Sequence, residues 1–350
     1  MKQGHTRQHN IMVSTASALL YQAARHSAAR IDRSARGRIV VSGADRASYL
    51  QGLLTNDIVA IKSGFGCYAC YLTPQGRMIA DLFVYELGDV MLLSMPLAVK
   101  DTVLAKLEQF VFTEDVQLGD VTETFAQMAV IGPGAAAALG ASLDDVAIDG
   151  LAGLAGLSGL IEHANLRVRF AGEPAIVTRI ADTGEPGFDV YVERPHAAAC
   201  ASALAANGVV DLDAGTAEAI RIEAGVPRFG IDMDEETIPL EAGIESRAIS
   251  LTKGCYVGQE VIIRVLHRGH GRVARKLVGL VFEGESAPAP GAGVRVEDRE
   301  IGRVTSSALS PALGRPIALA YLHRDFLAVG TTVAVDGARA VVAPLPFVGQ

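Results

Sequence analysis

The chain has 350 residues, half of them hydrophobic and a fifth charged, with a formal net charge of −8 at pH 7. That length can bury a sizeable core and makes two or three domains the expectation; the acidic balance argues against a general nucleic-acid or anionic-membrane binder. Four cysteines, at 67, 70, 200 and 255, are too few and too scattered for a disulfide scaffold, so a reducing compartment fits best.

The N-terminal segment 1–30 carries Lys2, Arg7, Arg25 and Arg30 and no acid. Such a composition resembles a mitochondrial transit peptide. The preferred reading is an ordinary first helix, roughly Ser14 to Ala29, in a cytoplasmic protein, with the mitochondrial matrix as the alternative. Arg38 to Gly43 reads as a strand ending at a turn, and Asp45 to Leu53 as a capped helix. Cys67 to Tyr71 and Met78 to Glu86 form a hairpin around Thr73-Pro74-Gln75-Gly76. Asp89 to Ser94 adds a strand and Leu97 to Phe110 a helix. The uncharged run Phe125–Leu143 contains Gly132-Pro133-Gly134, which reads as strand, turn and small-residue helix rather than a membrane span. An Ala-, Gly- and Leu-rich connector follows, to Leu160.

Strands resume at Leu166 to Phe170, Ala175 to Ile180 and Phe188 to Val192, with helices at Pro195 to Asn207 and Ala214 to Ala224. Helices and strands alternate without a clean βαβ rhythm, so the expected class is α+β. The Gly- and Pro-rich stretch Gly284 to Gly291 is followed by short strands and the Asp336-Gly337 hairpin signal. Together with a strand at Lys276 to Phe282, these predict a small β-barrel over residues 276–350, behind a main domain over 31–275.

Charge is segregated. Ile231 to Glu245 holds six acids and no base, whereas Arg247 to Lys276 holds seven bases against Glu260 alone. The basic stretch could receive an anionic ligand, or the two segments could neutralise each other across an interface.

Among motifs, Cys67-Tyr68-Ala69-Cys70 is formally C-x-x-C, but its neighbours read as a strand, where residues three apart face opposite ways, and it has no second ligand pair. Gly269-His270-Gly271 lacks the strand and helix of a dinucleotide site. His267 and His270 read as solvated. Lys253-Gly254-Cys255-Tyr256-Val257-Gly258-Gln259-Glu260 stands out. A lysine two residues from a thiol would favour the thiolate, the form that attacks electrophiles or binds metal, although a buried inert cysteine is the plain alternative. Asp81, inside an apolar strand, is costly unless it binds something, and burial would lift its pKa into a useful range; it could equally face solvent. Asp189 poses the same question. Arg221 could grip a carboxylate bidentately or form an internal salt bridge.

Val41 to Arg46, Leu50 to Asp57, Tyr71 to Arg77, Arg221 to Pro227, Ile238 to Glu241 and the octapeptide together resemble the YgfZ-type folate-binding proteins, relatives of the glycine-cleavage aminomethyltransferase. The resemblance covers about residues 35–345. It implies an α+β module holding tetrahydrofolate in a central hole, with a C-terminal barrel. It implies that Asp81 lies near the reactive folate nitrogen, that Asp189 helps hold the pterin and that Arg221 contacts folate. The aminomethyltransferase octapeptide is expected to be Cys-free, so Cys255 points to the branch that supports iron–sulfur cluster assembly or repair. Lys253 would then activate Cys255, and iron–sulfur client or assembly proteins would be the partners. The alternatives are a tetrahydrofolate-dependent one-carbon transferase using Asp81, and a purely structural binding module.

Overall fold

The structure is a computed structural model that describes residues 16–144, 147–148, 151–152, 154–170, 172–267, 269 and 271–349. The first fifteen residues and His270 lie outside the described residues, and with them part of the N-terminal reading and of the histidine pair.

Helix α1 (16–26) lays Tyr21 and Ala24 against the core. Strands β1 (Ala29–Asp32) and β2 (Arg36–Ser42) follow, joined by a tight turn, then α2 (Arg46–Gln51), β3 (Gly66–Leu72), β4 (Met78–Glu86), β5 (Met91–Pro96), α3 (Leu97–Glu108) and β6 (Gln117–Asp120). These strands except β1 form an antiparallel sheet in the order β3-β4-β5-β2-β6. Alternation along β4 decides what each face does. Ala80, Leu82 and Val84 pack with Val103 and Leu107 of α3, while Phe83 and Tyr85 join a cluster on the other face.

β7 (Phe125–Ile131) leads into α4 (Ala135–Ser142), a small hairpin of β8 (Ala147–Ile148) and β9 (Leu151–Ala152), and α5 (Leu154–Ser158). Then come β10 (Asn165–Phe170), β11 (Glu173–Ile180), β12 (Gly187–Glu193), α6 (Ala197–Ala206), β13 (Val210–Asp211) and α7 (Ala214–Glu223). The second sheet runs β10-β11-β12-β7-β1-β13 and is antiparallel except for the β1–β13 edge. Its Tyr191 packs in the same cluster as Phe83, Tyr85 and Leu92, so the two sheets meet face to face. Asp213 caps α7 by accepting from Thr216 N at 2.7 Å.

Short helices α8 (Pro239–Ala242) and α9 (Glu245–Ala248) lead to α10 (Gln259–His267). The last strands, β14 (Arg275–Phe282), β15 (Gly293–Val296), β16 (Arg299–Ser310), β17 (Arg315–His323), β18 (Thr332–Val335) and β19 (Ala338–Ala343), close into a barrel. Leu280, Phe282, Val304, Ala320, Leu322 and Val333 are buried together inside it. Asp336 and Gly337 both take positive φ, as a two-residue hairpin demands.

The fold is thus α+β with a C-terminal barrel. Cys67 and Cys70 sit on opposite faces of β3 in different clusters, which excludes a shared ligand role. α10 was not anticipated: the octapeptide's last two residues begin it. Among the described residues the acidic and basic segments pair through Arg275 Nε to Glu241 at 3.1 Å, whereas Arg247 pairs with Glu162.

Candidate functional site

The two sheets, α7 and the 226–247 segment enclose a cavity of about 730 Å³. Several elements supply its chemistry. The β3–β4 hairpin contributes Tyr68, Asp81 and Phe83, the β1–β2 turn contributes Arg33, the start of β2 contributes Arg36, and the loop before β12 contributes Asp182. Glu218 and Arg221 project from α7, Arg228 pairs with Glu218 at 2.8 Å, and Phe229 and Arg247 complete the lining.

Asp81 reaches the cavity because β3 and β4 pair with Tyr68 opposite Phe83 and Cys70 opposite Asp81. The Tyr68 hydroxyl donates to Asp81 Oδ2 at 2.7 Å. Burial pushes the Asp81 carboxyl above its ordinary range and the Tyr68 hydrogen bond holds it back only in part. Phe83 lies 5.2 Å from the Tyr68 ring, the Arg36 guanidinium covers Phe83 at 5.5 Å, and Arg247 covers Tyr68 at 5.6 Å. The result is an aromatic wall edged by cations, with one carboxylate set into it.

Asp189 lies behind this wall rather than on it. It is fully buried, accepts from Gln127 Nε2 at 2.7 Å and pairs with Arg33 Nη1 at 3.2 Å. Burial raises its pKa to about 6 despite Arg33. Arg33 grips Asp182 with both terminal nitrogens, at 2.6 and 3.0 Å. For Asp182 burial also works upward, but Arg33 outweighs it and the carboxyl ends below its usual range. One arginine thus sets two neighbouring acids apart.

Arg221 lines the cavity, yet its guanidinium is held within the wall. It bonds Asp232 at 2.7 Å, Glu218 at 2.5 Å and the Ser306 hydroxyl at 3.0 Å, so it forms the internal network that was its alternative reading. Lys253 and Cys255 do not line the cavity. Lys253 Nζ donates to the carbonyls of Gln51 (2.6 Å), Leu54 (2.6 Å) and Asn56 (2.8 Å), and burial lowers its pKa to about 8. The expectation that Lys253 activates Cys255 is corrected accordingly: all three ammonium hydrogens are committed to the 51–56 turn. Cys255 is exposed on the surface of this loop.

The clamp nevertheless bears on the cavity. Asn56, whose carbonyl Lys253 holds, donates its own side-chain amide to the carbonyls of Tyr68 at 2.8 Å and Arg247 at 3.1 Å. Thr55 ties the same turn to Ala248 O and Cys70 N. Sequence reasoning did not single out Tyr68, Arg33, Asp182 or Arg247. Tyr68 was within reach through the hairpin register set by Thr73–Gly76; the others depend on long-range packing.

Residues 11–253 match the GCVT N-terminal domain family, and residues 275–348 match the glycine cleavage T-protein C-terminal barrel domain. The chain is 35% identical over 321 residues to an aminomethyltransferase of Streptomyces coelicolor, covering 90% of this chain and 83% of the relative. It is 33% identical over 335 residues to an aminomethyltransferase of Listeria monocytogenes, covering 93% and 88%. The crystal structure of the glycine cleavage system aminomethyltransferase T from Bartonella henselae shares the fold, with a TM-score of 0.84 and 24% identity over 95% of this chain and 90% of that one. These likenesses overturn the assignment to the YgfZ branch, and the expectation of iron–sulfur partners goes with it. Cys255 in the octapeptide does not mark a separate branch. The chain belongs to the glycine-cleavage T-protein family.

Proposed function

We propose that this protein is a tetrahydrofolate-dependent aminomethyltransferase that places a one-carbon unit on a folate nitrogen beside Asp81. The observation that carries the reading is a carboxylate set in the aromatic wall of a large cavity and fixed by a tyrosine hydroxyl. A cavity of about 730 Å³ is within the range of cofactor sites. Its residues suit the ligand. Tyr68, Phe83 and Phe229 offer flat surfaces to a pterin, Asp81 and Asp182 can accept from its N–H groups, and Arg228 and Arg247 can meet an anionic tail. Asp189 and Arg221 support this wall from behind and beside it, through Arg33 and Asp232 respectively.

A nitrogen that forms a new bond to carbon must give up a proton, and the carbon must break its bond to the donor, which leaves with the electron pair and takes up a proton. Asp81 can take the proton from the nitrogen, and burial makes its carboxylate a stronger base than one in water. Tyr68 fixes the carboxylate plane through Oδ2. Phe83, under Arg36, limits water at the same wall. Tetrahydrofolate supplies the nucleophilic nitrogen when bound, and the chain's part is to orient it and hold the proton.

Calorimetric titration tests the reading. Tetrahydrofolate should bind one to one, and Asp81→Asn should bind it nearly as well while losing transfer. Absence of binding by the wild-type protein would sink the proposal.

A further inference from the structure

A second cavity, about 270 Å³ in volume, lies between the same two sheets. Along β2, Arg36 opens onto the first cavity, whereas Arg38 and Val40 open onto the second. Val40, Leu92, Val121, Phe125 and Ile176 make its walls apolar. Its charged residues are Arg38, Arg167 and Glu193. Arg167 is paired with Asp89 and Glu193 is exposed, so both belong to the wet mouth.

Arg38 is different. It has no exposed surface. Nη2 donates to Thr122 O at 2.6 Å and Ser34 O at 3.0 Å, and Nη1 to Gln127 Oε1 at 3.3 Å, all neutral acceptors. Nε has no partner. Among the described residues no carboxylate lies within ion-pair distance of it. A buried cation with neither a counter-charge nor a full set of bonds is costly, and burial draws its pKa down. It stands at the inner wall of an apolar cavity beside the fully buried Tyr191.

We propose that this second cavity binds a small monocarboxylic acid with an apolar body, the carboxylate turned inward to the Arg38 Nε–H and the body against Val40, Leu92 and Phe125. The ligand supplies the charge that Arg38 lacks. One spare N–H in an apolar pocket suits a single carboxylate better than a phosphate, which needs several donors. The volume is below the usual range for drug-sized ligands, so the body must be compact. Glu193 at the mouth disfavours a second anionic group on the ligand. Reaching Nε requires side-chain movement at the Arg38–Tyr191 wall.

The test compares 4-phenylbutyrate with its neutral amide, 4-phenylbutyramide, by ligand-observed NMR on the full chain saturated with tetrahydrofolate. The acid should bind one to one, and more tightly than the amide by about tenfold or more, the worth of one charge-assisted bond. Arg38→Gln should bring the two within about twofold, and Val90→Trp, at the partly exposed rim, should weaken both. If Arg38→Gln does not fold, the acid–amide difference and Val90→Trp decide the matter. Equal affinity for acid and amide, no binding in the millimolar range, indifference to Val90→Trp, or binding of the acid seen only when tetrahydrofolate is left out would each overturn the proposal.

Discussion

An ammonium ion has three N–H bonds, and Lys253 places each of them on a backbone carbonyl of the 51–56 turn. Lys253→Met leaves those carbonyls unsatisfied and should destabilise the protein by about 2–4 kcal/mol in chemical denaturation. The pH dependence has a definite sign. The folded-state pKa of about 8 lies below the unfolded value, roughly 10.4, so between them the unfolded chain holds more protons and this residue's contribution rises with pH. The penalty of burying the charge is fully present below about pH 8. Wild-type stability relative to Lys253→Met should therefore increase from pH 8 to pH 10; a flat or falling difference would contradict the burial argument. Asp189 offers a second titration. Carboxyl NMR should show a group titrating near pH 6 that vanishes in Asp189→Asn. Asp81 and Asp189 could be suspected from sequence because each is an acid inside an apolar strand. Which one faces the cavity depends on Arg33 and Gln127, reached across 156 and 62 residues, and no local pattern carries that.

At the scale of elements, the octapeptide is a clasp. A Cβ on Gly258, at φ +84°, would stand 2.5 Å from Thr73 O, and one on Gly76, at φ +74°, would stand 2.9 Å from Val261. The hairpin turn of β3–β4 and the start of α10 are thus pressed together through two glycines, and the hairpin delivers Asp81. Gly258→Ala should cost about 2 kcal/mol or more in thermal unfolding, from strained backbone and overlap. Gly254→Ala, with nothing within 4 Å and no positive φ, should stay within about 0.5 kcal/mol. Comparable losses for the two would count against the clasp. Most strands were legible from their apolar alternation and turn residues, the β3–β4 hairpin most clearly. The missed α10 also had a signal: Val261, Ile262, Val265 and Leu266 recur at helical spacing. The charge pattern of that stretch, and the thiol before it, drew the reading toward a loop.

At the scale of the molecule, two buried acids fasten the barrel to the rest. Glu223 accepts from the Tyr21 hydroxyl at 2.7 Å, from Arg25, from Ser310 and from Ala312 N at 3.1 Å. Asp232 joins Arg221 and Arg228 N to Thr305 and Ser306 of β16. Because Arg221 also lines the cavity, the barrel holds one of its walls. Glu223→Ala takes away one of the two carboxylates that Arg25 holds, the other being Glu185, and leaves the Tyr21 and Ser310 hydroxyls and Ala312 N without their acceptor. It should cost about 2–4 kcal/mol by denaturant titration; a change under about 1 kcal/mol would show that the barrel is held elsewhere. The barrel itself could be read from its short strands and turns, but the bonds from these two acids to it span 73 to 89 residues and could not. The branch of the family was misread for a related reason: one exposed cysteine was weighed above the many positions that pack the shared fold.

The central claim is that the chemistry belongs to Asp81 and not to the thiol. The direct measurement is the rate of tetrahydrofolate-dependent aminomethyl transfer by wild type, Asp81→Asn and Cys255→Ala. Asp81→Asn should fall by about 10²-fold or more, the usual range for losing a general base, and Cys255→Ala should match wild type. A Cys255→Ala enzyme that is inactive while Asp81→Asn keeps its rate would contradict the account.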